Sequence, residues 1–122
     1  MPTSNSRSRW LGTCPSSAGG LPPGAVEELV VGQVPLGILP GRTFEASRTS
    51  CNPGDVLLVL TDGLTEVFNA ADEEFGMPRV RAVLAEHARA PLAKIELELL
   101  DAARAHGTPH DDQSLILIRR LS

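Results

Sequence analysis

The chain has 122 residues, a length that fits one domain or part of one. Its hydrophobic share is 42% and its aromatic share only 3%, so any core must be aliphatic. A net charge of −4 argues against general nucleic-acid binding, which needs a basic face. No apolar run is long enough to span a membrane, and no signal-peptide core follows Arg7 and Arg9.

Residues 1–20 are rich in Ser, Pro, Gly and Arg and lack periodicity. They read as a disordered or irregular segment ahead of a domain at 21–122. VEELVVG (26–32) suggests a strand entering a turn. QVPLGILPG (33–41) is a loop with apolar anchors at Leu36, Ile38 and Leu39. TFEASRTSC (43–51) is β-prone and partly alternating, which predicts a half-exposed strand. NPGD (52–55) is a turn, and VLLVLT (56–61) a central strand buried on both faces. LTEVFNA, from Leu64, predicts a short helix. Two longer helices follow at 78–90 and 91–106, with apolar faces at Val80, Val83, Leu84 and at Leu92, Ile95, Leu99, Ala103. Gly107 stops the second, and SLILIRR (114–120) is a final apolar strand. Strands, then helices, then a strand give an α+β class.

The strand at 56–61 delivers a carboxylate, Asp62, at its tip, and the last strand is entered through Asp111 and Asp112. If the two strands are antiparallel neighbours, about 4.8 Å apart, these carboxylates share one edge of the sheet. Like charges so close call for a cation, and an oxygen-only donor set suits Mg2+ or Mn2+ rather than zinc. The plain alternative is that the DG is a turn dipeptide and the DD a polar cap. Cys14 and Cys51 form no CxxC pair and read as free thiols in a reducing, cytoplasmic setting, with Cys51 a small core residue.

GDVLLVLTDGLTEVFNAADEEFG (54–76), two helices, and then HDDQSLILIRR (110–120) resemble the C-terminal half of the metal-dependent (PPM-type) protein phosphatases. This is the protein phosphatase 2C class, in its bacterial SpoIIE-like and RsbU-like branch. The likeness runs from about Leu21 to Leu121 and rests on a two-part signature, TDG-x-TE with a distal DD-x-[ST]-L. It implies an αββα sandwich of antiparallel sheets, present here in part and with two helices. It also implies a binuclear Mg2+ or Mn2+ site that attacks phosphoserine or phosphothreonine with a metal-activated water. Asp62 and Asp111 match the family's metal-binding and catalytic aspartates. Asp112 and Gly63 match their supporting neighbours. The implied partner is a phosphoprotein substrate, such as an anti-anti-sigma factor, with neither nucleic acid nor membrane.

The family's N-terminal half supplies a further D-G aspartate that bridges two metals, and residues 1–20 hold no acidic residue. The chain is therefore expected to carry half of a metal site and a sheet with exposed edges that favour self-association. It reads as a truncated phosphatase domain or as a non-catalytic remnant or partner-binding module of the same fold. Among the remaining polar residues, His87 and His106 are expected on the surface, as are Arg42 and Arg48. Glu66 is expected to cap or contact a helix, and Thr61 and Ser114 to hydrogen-bond in turns. His110 is placed to reach a phosphate.

Overall fold

The computed structural model describes the backbone of residues 9–14, and residues 25–29, 37–46, 48 and 50–122. Four strands and three helices follow in the order β1 (Arg9–Cys14), β2 (Ala25–Leu29), β3 (Val56–Leu60), α1 (Asp62–Thr65), α2 (Gly76–His87), α3 (Leu92–His106) and β4 (Leu115–Arg119). The class is α+β. The strands make one antiparallel sheet in the order β2-β1-β3-β4. The described residues thus show one sheet with helices against it, half of the layering that the family resemblance implies.

β3 is central, as its unbroken aliphatic run predicts, but its burial alternates. Val56, Leu58 and Leu60 are at most 1% exposed, whereas Leu57 and Val59 are half-buried. The helices cover only one face of the sheet, so the expectation of burial on both faces holds for one. β3 is launched by a tight turn in which Asp55 N–H donates to Asn52 O at 3.0 Å. Pro53 and Gly54, the latter at φ 91°, are the residues a type II turn requires at its two central positions. The Asp55 carboxylate closes the turn by accepting Asn52 N–H at 2.7 Å.

α2 buries Met77, Val80 and Leu84, and α3 buries Ile95, Leu99 and Ala103, each at the spacing of one helical stripe. These stripes pack on β3 together with Leu64, Val67 and Phe75, and Leu115 and Leu117 of β4 join from the side. Fully burying a side chain of this kind contributes about 1.5–3 kcal/mol, and the core is aliphatic but for Phe75. Arg119 donates to the carbonyls of Ala88 and Ala90 at 2.8 and 2.6 Å, tying β4 to the end of α2. Arg81 of α2 pairs with Glu28 of β2 at 2.8 Å.

Other expectations change. The short helix expected over LTEVFNA is α1, which starts earlier, at Asp62, and ends at Thr65, and the expected loop anchors Ile38 and Leu39 are exposed. Residues 9–14, expected to be irregular with the rest of 1–20, form β1, paired on both sides: Trp10 lies opposite Leu29 and opposite Val59. Its ladder is completed by long-range pairing, which local composition does not record. Residues 1–8 and 15–20 lie outside the described residues. The segment expected to be a strand at 43–51 forms none among its described residues, and Phe44 is exposed. Cys51 is exposed rather than a core residue.

Candidate functional site

The antiparallel pairing of β3 with β4 ends at Leu60 opposite Leu115, which brings the TDG turn and the DDQS loop to one edge of the sheet. The ladder runs one step further: Thr61 N–H donates to Ser114 O at 3.0 Å. The chain then bends into α1, and Thr61 O is taken by Leu64 N–H at 3.2 Å. The Thr61 hydroxyl replaces that carbonyl on the sheet side, accepting Ser114 N–H at 3.2 Å and lying 3.4 Å from Ser114 O. A threonine here therefore lets the strand turn into a helix while both neighbours keep their bonds, as expected of the Thr61 hydroxyl, whereas Ser114 takes part through its backbone.

One residue later the two segments touch. A Cβ on Gly63 would lie 2.0 Å from the carbonyl oxygen of Asp112 and 2.9 Å from its carbonyl carbon, so only glycine fits this approach. The Gln113 side-chain amide donates to Gly63 O at 3.3 Å across the same seam. Asp62 directly precedes Gly63 and Asp111 directly precedes Asp112, so the two aspartates stand beside the closest backbone contact between the segments. Asp62 is half-buried as the first residue of α1, and its backbone carbonyl accepts Glu66 N–H at 2.8 Å. Asp111 is exposed, and its Oδ1 accepts Asp112 N–H at 2.8 Å. The Asp112 side chain is exposed, while its carbonyl abuts Gly63.

The other polar residues fall outside this seam. His110 is exposed next to Asp111. His106 is half-buried, with its Nε2 2.8 Å from Glu73 O and its ring edge-on to Phe75 at 5.6 Å, so it braces the loop after α1 rather than lying free on the surface. His87 lies 3.7 Å from Glu98 between α2 and α3. The Lys94–Glu98 pair on α3, 2.9 Å apart, raises the lysine pKa and lowers the glutamate's, chiefly through their shared hydrogen bond. Gln113 was not singled out by sequence; its position between DD and the hydroxyl residue of the signature was the available signal.

Asp62 and Asp111 present the oxygen donors that a hard divalent cation takes. In number they fall short. The described residues include every Asp, Glu and His of the chain. Among them no three such groups gather as a metal site. The seam fits one side of a cation's shell, and the remaining oxygens would have to come from backbone, water, substrate or another chain.

A family model described as Stage II sporulation protein E (SpoIIE) matches residues 16–121. No curated protein and no solved structure matches the chain.

Proposed function

We propose that this chain, which belongs to the stage II sporulation protein E (SpoIIE) family, acts in the hydrolysis of phosphoserine or phosphothreonine on regulatory proteins such as anti-anti-sigma factors. The supporting observation is the seam itself: a glycine with no room for a Cβ against Asp112, flanked by the two aspartates. In this reading Asp62 and Asp111 hold Mg2+ or Mn2+. The bound cation would supply positive charge for a water nucleophile and for the phosphoryl oxygens. The chain's own contribution is positional. The Thr61 hydroxyl and the Gln113 amide clamp the two strand ends, and Gly63 sets their separation. His110, exposed beside Asp111, is available to donate to a phosphate oxygen, and Asp112 orients the loop through its backbone. No helix among the described residues is long and apolar enough to cross a membrane, and a soluble phosphoprotein substrate in the cytoplasm is the matching partner.

The shortage of ligands supports a second reading, a binding module of the same fold without turnover. Calorimetric titration with Mn2+, run beside Asp62→Ala and followed by p-nitrophenyl phosphate hydrolysis, separates the two. Mn2+ binding that Asp62→Ala abolishes, with turnover in the parent, supports the phosphatase. Binding without turnover supports the module. Mn2+ binding unchanged in Asp62→Ala would refute the site assignment.

A further inference from the structure

β4 closes one edge of the sheet, and among the described residues no strand pairs with its outer side. Arg120 N–H donates to Asp55 O at 3.1 Å and Thr61 N–H to Ser114 O at 3.0 Å. By the alternation of an antiparallel ladder, residues 114, 116, 118 and 120 turn their backbone groups toward β3. Leu115, Leu117 and Arg119 turn theirs outward. Among the described residues no backbone hydrogen bond is seen on that outward row.

The edge carries little of the usual protection. Natural edge strands carry lysine, proline or inward-pointing charge. β4 reads Leu-Ile-Leu-Ile-Arg, and its one charge, Arg119, points to the helix side, where the Ala88 and Ala90 carbonyls take it, at the very end of the strand. On the face away from the helices Ile116 and Ile118 are 59% and 51% exposed. The opposite edge of the sheet, β2, by contrast carries an exposed charge, Glu27, in the middle of the strand.

We propose that β4 pairs antiparallel with β4 of a second copy of this chain, about a two-fold axis at Leu117, to make a continuous eight-stranded sheet. That register uses all three outward residues. Leu117 faces its own equivalent, Leu115 faces Arg119 of the second copy, and Ile116 sits against Ile118 in the close, non-hydrogen-bonded type of pair. Charge selects the second copy and its direction. One end of β4 is led in by Asp111 and Asp112, and the other leaves through Arg119 and Arg120. Antiparallel self-pairing sets the acidic end of each copy against the basic end of the other, whereas parallel pairing would set like against like. The arrangement also carries the exposed Arg120 of the second copy to the strand position opposite Ser114, beside the Asp62–Asp111 seam. The pairing rests on β4 alone, and it stands whether or not the seam hydrolyses phosphate.

The test is sedimentation velocity of the full chain across the micromolar range, with Ile116→Lys/Ile118→Lys beside the parent. A cysteine mixture is added in a background where Cys14 and Cys51 are alanine. The parent is expected to sediment as a dimer. The lysine pair, on exposed positions that leave the core intact, is expected to weaken association at least about tenfold. In the mixture, an Ile116→Cys chain should form a disulfide with an Ile118→Cys chain on oxidation, while each variant alone should not. A parent that stays monomeric overturns the proposal. So does association that survives the lysine pair, or cross-linking as efficient in the single variants as in the mixture, which would indicate face-to-face packing or another register.

Discussion

Replacing Gly63 with alanine tests the seam most directly. The new Cβ would stand 2.0 Å from the Asp112 carbonyl oxygen, and real Cβ contacts do not fall below 3.0 Å, so the two segments must part by about 1 Å. The opposing atom is backbone, held by the adjoining β3–β4 ladder, and it cannot rotate away as a side chain would. Overpacking of this kind costs about 1–3 kcal/mol. For a chain of this size that is a drop of roughly 4–12 °C in Tm. Because the displacement falls between Asp62 and Asp111, Mn2+ affinity should fall with it. Leu84→Ala, which empties a fully buried position in α2, supplies the comparison. It should cost about 2–5 kcal/mol without moving the seam. Melting curves and Mn2+ calorimetry below both transitions are the assays. The expected result is that Gly63→Ala loses metal affinity and Leu84→Ala keeps it. If Gly63→Ala melts within about 1 °C of the parent, the close approach is wrong. If both variants lose affinity equally, the seam has no special part in holding the ion.

Thr61→Val removes the hydroxyl that accepts Ser114 N–H, and Thr61→Ser keeps it. Since that bond lies near solvent, urea unfolding should show a loss of about 0.5–1.5 kcal/mol for valine and a clear recovery with serine; equal losses would mean the methyl group, not the hydroxyl, matters. The Lys94–Glu98 pair should report on pH through its sign. The glutamate's pKa is lowered, so its contribution exists above its unfolded value and is lost as pH falls through the folded one. The lysine's is raised, so its contribution is lost as pH rises through its folded value. A double-mutant cycle with alanine at both positions should therefore show coupling at neutral pH that fades in acid, in strong alkali and in high salt; coupling insensitive to pH would contradict an ionic origin.

The two long helices, β3 and β4 were legible because each rests on a local signal, and the convergence of the strand ends followed once β3 and β4 paired antiparallel. Val80 and Leu84, or Ile95 and Leu99, reveal a helical face by spacing, and VLLVL reveals a strand by its unbroken aliphatic run. The turn at Pro53–Gly54 was readable for the same reason. What was not legible depends on partners distant in sequence. β1 is a strand because β2 and β3 flank it, and nothing in RWLGTC alternates in a way that shows this. Residues 43–46 have β-prone chemistry but join no ladder among the described residues, so propensity there led to the wrong element. At the site the acids were visible, but the reason for the intervening residues was not. Thr61 matters for a carbonyl lost to α1, and Gly63 for a backbone atom nearly fifty residues on.

The same seam should make the chain more stable when one of its acids is neutralised, provided no cation is present. Asp111 stands next to Asp112 and across the closest contact from Asp62, which gathers three carboxylates at one edge of the sheet. Asp111→Asn keeps an oxygen able to accept Asp112 N–H and removes one charge. In chelator and low salt this should raise stability by a few tenths to about 1 kcal/mol, the size of an exposed like-charge interaction. Excess Mn2+ should reverse the order, because an ion that binds only the folded parent stabilises it by mass action and Asp111→Asn forfeits that gain. Melting both proteins with and without Mn2+ gives a crossing of signs that neither a turn nor a polar cap would produce. If Asp111→Asn is the less stable protein in chelator, or if Mn2+ moves both proteins alike, the aspartates serve the turn, and the cation must be sought elsewhere.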